Sequence, residues 1–129
     1  MKAITIKQPW AGAIFASGKD VENRSWSTKY RGPLLIHAGA GFSNDDPDLV
    51  KKAERAGDTG PWTPSALLGV VELVDCVWAY DSEWAQPSYW HWVLRNPQPL
   101  SKPIPMRGKL GLWNVPLAKG LEDIVEGRA

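Results

Sequence analysis

The chain has 129 residues, 43% hydrophobic and 22% charged, with a formal net charge of +1. That length holds one domain able to bury a core without a disulfide or structural metal. The proportions are those of an ordinary globular protein, and 11 Pro with 12 Gly exclude coiled coil and collagen.

Residues 3–7 read as a strand that breaks at Gln8-Pro9. Pro9 suits the first turn of a helix, and Trp10, Ile14 and Phe15 follow at helical spacing until Gly18 supplies a stop. The next segment, KDVENRSW, reads as extended, so Glu22, Arg24 and Trp26 share a face by the two-residue period. Arg31-Gly32-Pro33 turns the chain into a strand over 34–38. Residues 39–64 read as an insertion: a polar loop, then a short helix near 46–56 with Asp46 as cap, Pro47 in the first turn and Gly57 as stop. Residues 66–78 are the strongest strand signal, and 89–94 and 109–115 read as two more strands. Between them, NPQPLSKPIPMRG reads as a proline-rich connector. A tail from about 117 carries a short helix near 121–126. The expected fold is therefore α+β and mainly β: a small barrel of five or six strands flanked by two or three short helices, in a single domain over 1–129.

Charge is unevenly spread. Residues 1–37 carry net +4, residues 38–90 net −6, residues 91–121 net +5 and residues 122–129 net −2. Pairing of the two ends would merge the basic blocks into one face suited to a phosphate backbone. Eight Trp, against two Phe and three Tyr, exceed what a small core needs. One or two of them are expected to line a cleft where a flat ligand stacks. The lone Cys76 cannot form an internal disulfide, and no zinc-type set of Cys and His is visible. The N-terminus lacks the apolar core of a signal peptide, and no run reaches membrane-spanning length. A reducing, cytoplasmic setting without a membrane partner is the expectation.

Glu72 stands inside the apolar run LLGVVELVDCVW, with Val70, Val74 and Cys76 on its own face. A buried carboxylate must be paired, protonated or placed at the end of a cleft. It reads either as the partner of Arg24 or Arg31 in an ion pair, or as a general acid/base or an acceptor for a base amine. Lys19, Glu22 and Arg24 form a second cluster, three charges within six residues just after a helix stop. His37 and His91 read as hydrogen-bonded structural residues.

These blocks are recognisable together. QPWAGAIFASGKDVENRSW and YRGPLLIHAGA resemble the ASCH domain family of the PUA-like superfamily. Its G-x-K-x-x-E-x-R signature is matched at Lys19, Glu22 and Arg24, with Gly18 directly before the lysine. GVVEL at 69–73, WHWVL at 90–94 and RGKLGLWNV at 107–115 also resemble the family, in order. The resemblance implies a PUA-like barrel that binds RNA, single-stranded nucleic acid or a nucleoside with a modified base in a cleft beside the signature. The implied ligand-binding set is Gln8, Trp10, Lys19, Glu22, Arg24, Trp26, Arg31 and Glu72, with Trp113 a further aromatic candidate. It requires no cofactor. Some relatives are amidohydrolases that deacylate N4-acetylcytidine with a Lys, a Thr and a Glu, and others are single-strand ribonucleases. The catalytic set would then draw on Lys19, Glu22 and Glu72, with Mg or Mn only for a nuclease. The Thr position falls on Glu22, which removes the hydroxyl.

Overall fold

A computed structural model describes residues 1–45, 47–55 and 62–116. Asp46, Gly57 and the tail helix expected near 121–126 lie outside the described residues. The elements run β1 (Lys2–Gln8), α1 (Trp10–Ala16), β2 (Val21–Arg24), β3 (Gly32–Phe42), α2 (Pro47–Arg55), β4 (Ala66–Val77), β5 (Trp90–Pro105) and β6 (Leu112–Asn114). Six strands form one sheet in the order β2-β5-β4-β3-β1-β6. All ladders are antiparallel except β1 with β3, where Ala3 faces Leu35 and Ile6 faces Ala38. The expected α+β, mainly β class with short flanking helices is what forms. The ladder is not closed into a barrel, since β2 and β6 remain its edges.

The sheet is covered on both faces. One cluster gathers Ile4, Ile6, Leu34, Ile36, Val71, Leu73, Trp92 and Leu94 with Ala11 and Ile14 of α1. A smaller one joins Ala3, Leu35, Leu67 and Val70 to Trp113 and Val115 on the opposite set of side chains. Period-two alternation sends both sets into apolar surroundings, which is why β3 and β4 read as unbroken apolar runs. Trp90 and Trp92 both pack on the larger cluster, and Trp92 is fully buried.

α1 starts after a proline that offers no side-chain cap. The Gln8 carboxamide substitutes: its Oε1 accepts from the Gly12 N–H at 2.8 Å, and its Nε2 donates to the Thr63 carbonyl at 3.1 Å. One of the orphan N–H groups of the first turn is thereby satisfied. At the other end Gly18 adopts φ +70°, and the Lys19 N–H turns back to the Ala13 carbonyl. That left-handed residue ends α1 and aims the chain into β2.

The proline-rich connector expected over 96–108 is instead largely strand, because β5 continues to Pro105. β2 pairs with β5 only over Trp90–Val93, so among the described residues the later part of β5 has β4 as its single strand neighbour. Proline is tolerated on such a free edge and at bulges, and this ladder shifts register three times.

Candidate functional site

β6 pairs with Lys2–Ile4, which leaves Thr5–Lys7 of β1 without a strand neighbour on that side among the described residues. Among the described residues no strand pairs with the outer side of β2. Residues of both edges line one cleft of about 1210 Å³, with Lys19, Glu22 and Arg24 from one side and Thr5, Ile6 and Lys7 from the other. The failure of the ladder to close therefore places these edges around a common space.

Lys19 is buried, and its ammonium donates to the Val21 carbonyl and to Glu22 Oε1, the latter at 2.9 Å. Arg24 Nη1 meets the other carboxylate oxygen at 3.3 Å. Glu22 thus sits between two cations. Two of the three Lys19 N–H groups are engaged, and the third has no protein partner among the described residues. The signature triad is assembled as its spacing suggested: Gly18 turns Lys19 back, and β2 holds Glu22 and Arg24 side by side.

Asn23 lies between them and clamps the neighbouring loop. Its Nδ2 donates to the Trp84 carbonyl at 3.0 Å and its Oδ1 accepts from the Gln86 N–H at 3.0 Å. Trp84 is brought into the cleft wall in this way, and Lys52 of α2 lies 4.5 Å from its ring centroid while donating to the Glu83 carbonyl. Trp10 also lines the cleft, with its indole N–H on Asp45 Oδ2 at 2.7 Å.

The far wall is built on a buried chain. The Trp113 indole N–H donates to Thr5 Oγ1 at 3.2 Å. His37 Nε2 faces the Met106 carbonyl at 2.7 Å, so it carries the proton, and Nδ1 accepts from the Thr5 hydroxyl at 3.2 Å. A Cβ on Gly108 would come within 2.6 Å of Thr5 Oγ1 and 2.8 Å of His37 Cε1, so only glycine fits against this chain. Arg107, Lys109 and Lys7 also line the cleft. The lining holds six basic residues (Lys7, Lys19, Arg24, Lys52, Arg107 and Lys109) against three acidic ones (Glu22, Asp45 and Glu83). The two basic blocks of the sequence do converge.

Five other expected residues stand apart from the cleft. Glu72 is exposed on the opposite side of β4, in a hollow shared with Met1, Tyr30, Pro33 and Asn96, and Asn96 Nδ2 lies 3.4 Å from its carboxylate. It is neither buried nor paired with Arg24 or Arg31. Val70 shares its face as expected, but Cys76 does not: the register shift between Leu73 and Asp75 turns it onto the larger cluster with Leu73 and Trp92, and the apolar cover on the Glu72 face ends at Val70. Trp26 packs edge-on against Trp92 at 4.7 Å and accepts the Trp92 indole N–H through its carbonyl, so it serves the core. Gln8 spends its carboxamide on α1 and Thr63. Arg31 is exposed, donating to the Thr28 and Tyr30 carbonyls and lying 3.6 Å from Asp75. Trp113 is likewise packed, edge-on to His37. The Lys, Thr and Glu of an amidohydrolase are not brought together, since Glu22 stands at the Thr position and Glu72 is remote. Among the described residues no group of three His, Cys, Asp or Glu is placed to hold a metal ion.

The sequence reading missed Lys7, Lys52, Trp84, Tyr89, Arg107 and Lys109 as cleft residues. Arg107 and Lys109 had a signal in the basic block after residue 90. Trp84 had none, because a side-chain clamp from a distant strand positions it.

An open, mainly β sheet with the Lys-x-x-Glu-x-Arg cluster in the space between its edges defines the class. The ASCH domain model matches residues 4–104, and the chain belongs to the ASCH domain family. Two curated relatives are similar to it, the activating signal cointegrator 1 proteins of Homo sapiens, 28% identical, and Mus musculus, 27% identical, each over 128 residues. The alignments take in 87% of this chain and 22% of each relative, so the chain spans about a fifth of their length. Among the described residues no helix is long and apolar enough to cross a membrane.

Proposed function

We propose that the cleft binds single-stranded RNA, holding one base at the signature end. The observation that carries this reading is the lining: an excess of three positive charges, with Lys19 buried and still holding one free N–H. A base offers carbonyl acceptors and exocyclic amine donors on its edge and an apolar face. The free Lys19 N–H suits a base carbonyl. Glu22 retains lone pairs beyond those used by Lys19 and Arg24 and suits an exocyclic amine. The exposed part of Arg24 faces a phosphate or sugar. Trp10 offers an aromatic wall for stacking, the interaction that single-strand binders use without sequence preference. Lys7, Arg107 and Lys109, without an ion pair among the described residues, favour a polyanion over a neutral ligand.

The test is a fluorescence anisotropy titration of labelled single-stranded RNA and matched DNA, with nucleosides as competitors. Expected is RNA binding that weakens with salt, at a slope of about −0.7 per phosphate contacted. Lys19→Met and Arg24→Ala weaken it in a folded protein. Absence of binding to RNA, DNA and nucleosides at low salt overturns the reading.

A further inference from the structure

The cleft is larger than one base requires: small-ligand pockets run to about 300–1,000 Å³, against about 1210 Å³ here. The signature accounts for one side only. On the other side the turn from Arg107 to Gly111 has three features that the signature does not explain.

Its root is locked, because Gly108 is pressed onto Thr5 and His37, which are themselves tied to Trp113 and Met106. Its apex is Leu110, 98% exposed and yet part of the cleft lining, and Gly111 at φ +66° closes the turn behind it. Its cations are unused: Arg107, Lys109 and neighbouring Lys7 make no ion pair or side-chain hydrogen bond among the described residues. An exposed leucine is ordinary by itself. An exposed leucine directly after Lys109, on a turn anchored at Gly108 and lining the cleft, is an apolar surface beside cations that could take phosphates.

We infer that the 107–111 turn is a second nucleotide subsite, so that the ligand is a strand of at least two nucleotides rather than a free nucleoside. Lys7, Arg107 and Lys109 take the phosphates that follow the base bound at Lys19, and Leu110 lies against the face of the adjoining base. The inference rests on the proposed function of the signature end and extends it to the length of ligand recognised. A turn anchored at its root suits the task, since less ordering entropy is lost there when the strand is bound.

The test compares a mixed-sequence RNA octamer with cytidine and uridine monophosphates as probes. It uses the intact chain, Leu110→Ser, and the triple variant Lys7→Ala/Arg107→Ala/Lys109→Ala. Expected is an octamer bound at least about tenfold more tightly than either mononucleotide. Leu110→Ser weakens the octamer about fivefold without changing mononucleotide affinity or the thermal midpoint. The triple variant lowers the salt slope for the octamer by about 2. Unchanged octamer affinity and salt slope in both variants, with mononucleotides still bound, overturn the second subsite and leave the signature reading standing. Equal loss of mononucleotide and octamer in Leu110→Ser also overturns it, because the turn would then belong to the first base site. No binding of either probe to the unaltered protein removes the signature reading, and the subsite with it.

Discussion

Replacing Glu22 by Gln keeps the side-chain volume and removes the charge between Lys19 and Arg24. The Lys19 side chain is 3% exposed and that of Glu22 9%, at an N···O distance of 2.9 Å. The ammonium would be left with the Val21 carbonyl and an amide. Breaking a buried pair from one side costs about 3–5 kcal/mol, because the remaining charge loses its counterion. Arg24 is partly solvated at 24% and adds little, so about 3 kcal/mol is expected for Glu22→Gln. Lys19→Met is milder, about 1–2 kcal/mol, because the carboxylate keeps Arg24 at 3.3 Å. The double variant should cost less than Glu22→Gln alone, as no stranded charge remains. Urea unfolding measures all three. At a slope of about 2 kcal/mol per M, Glu22→Gln moves the midpoint down by about 1.5 M. A Glu22→Gln midpoint within about 0.25 M of the parent refutes the reasoning. So does a cycle that adds to within about 0.5 kcal/mol.

Other consequences can be measured separately. Gly108→Ala drives a methyl into Thr5 and His37, and should lower stability by about 1–3 kcal/mol in the same urea experiment; a neutral result means the turn is not locked at its root. Trp26→Ala should cost about 2–4 kcal/mol in stability while the folded protein still binds RNA, and Glu72→Gln should alter stability by less than about 0.5 kcal/mol and leave RNA affinity unchanged. Burial raises the Tyr30 phenol above its ordinary pKa of 10.0. Its stabilising contribution is therefore complete below pH 10 and lost as pH rises through the higher folded value. Tyr30→Phe should flatten the alkaline limb of a stability profile, and an unchanged limb contradicts the assignment.

The sequence was most legible where one local rule decided the outcome. Pro9, the helical spacing from Trp10 and Gly18 define α1, and the short spacing of Lys19, Glu22 and Arg24 after a left-handed glycine assembles the signature. Legibility failed where distant pairing decides. The prolines after Asn96 read as loop because a free strand edge cannot be foreseen from composition. Glu72 read as buried because an apolar run does not reveal how far its second face is covered. Trp26 lies beside the signature in sequence, but the bend that follows β2 turns it toward Trp92. Trp84, distant in sequence, is carried to the cleft by Asn23.

The prolines of β5 have a further consequence. A long strand with one unpaired side is a template on which another chain can add itself, and proteins that expose such edges associate and aggregate unless the edge is blunted. Pro97, Pro99, Pro103 and Pro105 lie in the part of β5 that β2 leaves unpaired. Each lacks the N–H that an incoming strand would need. The edges around the cleft carry no such block, since neither Val21–Arg24 nor Thr5–Lys7 contains a proline. The molecule thus keeps its sheet closed to recruitment of foreign strands along β5 and open where the cleft lies.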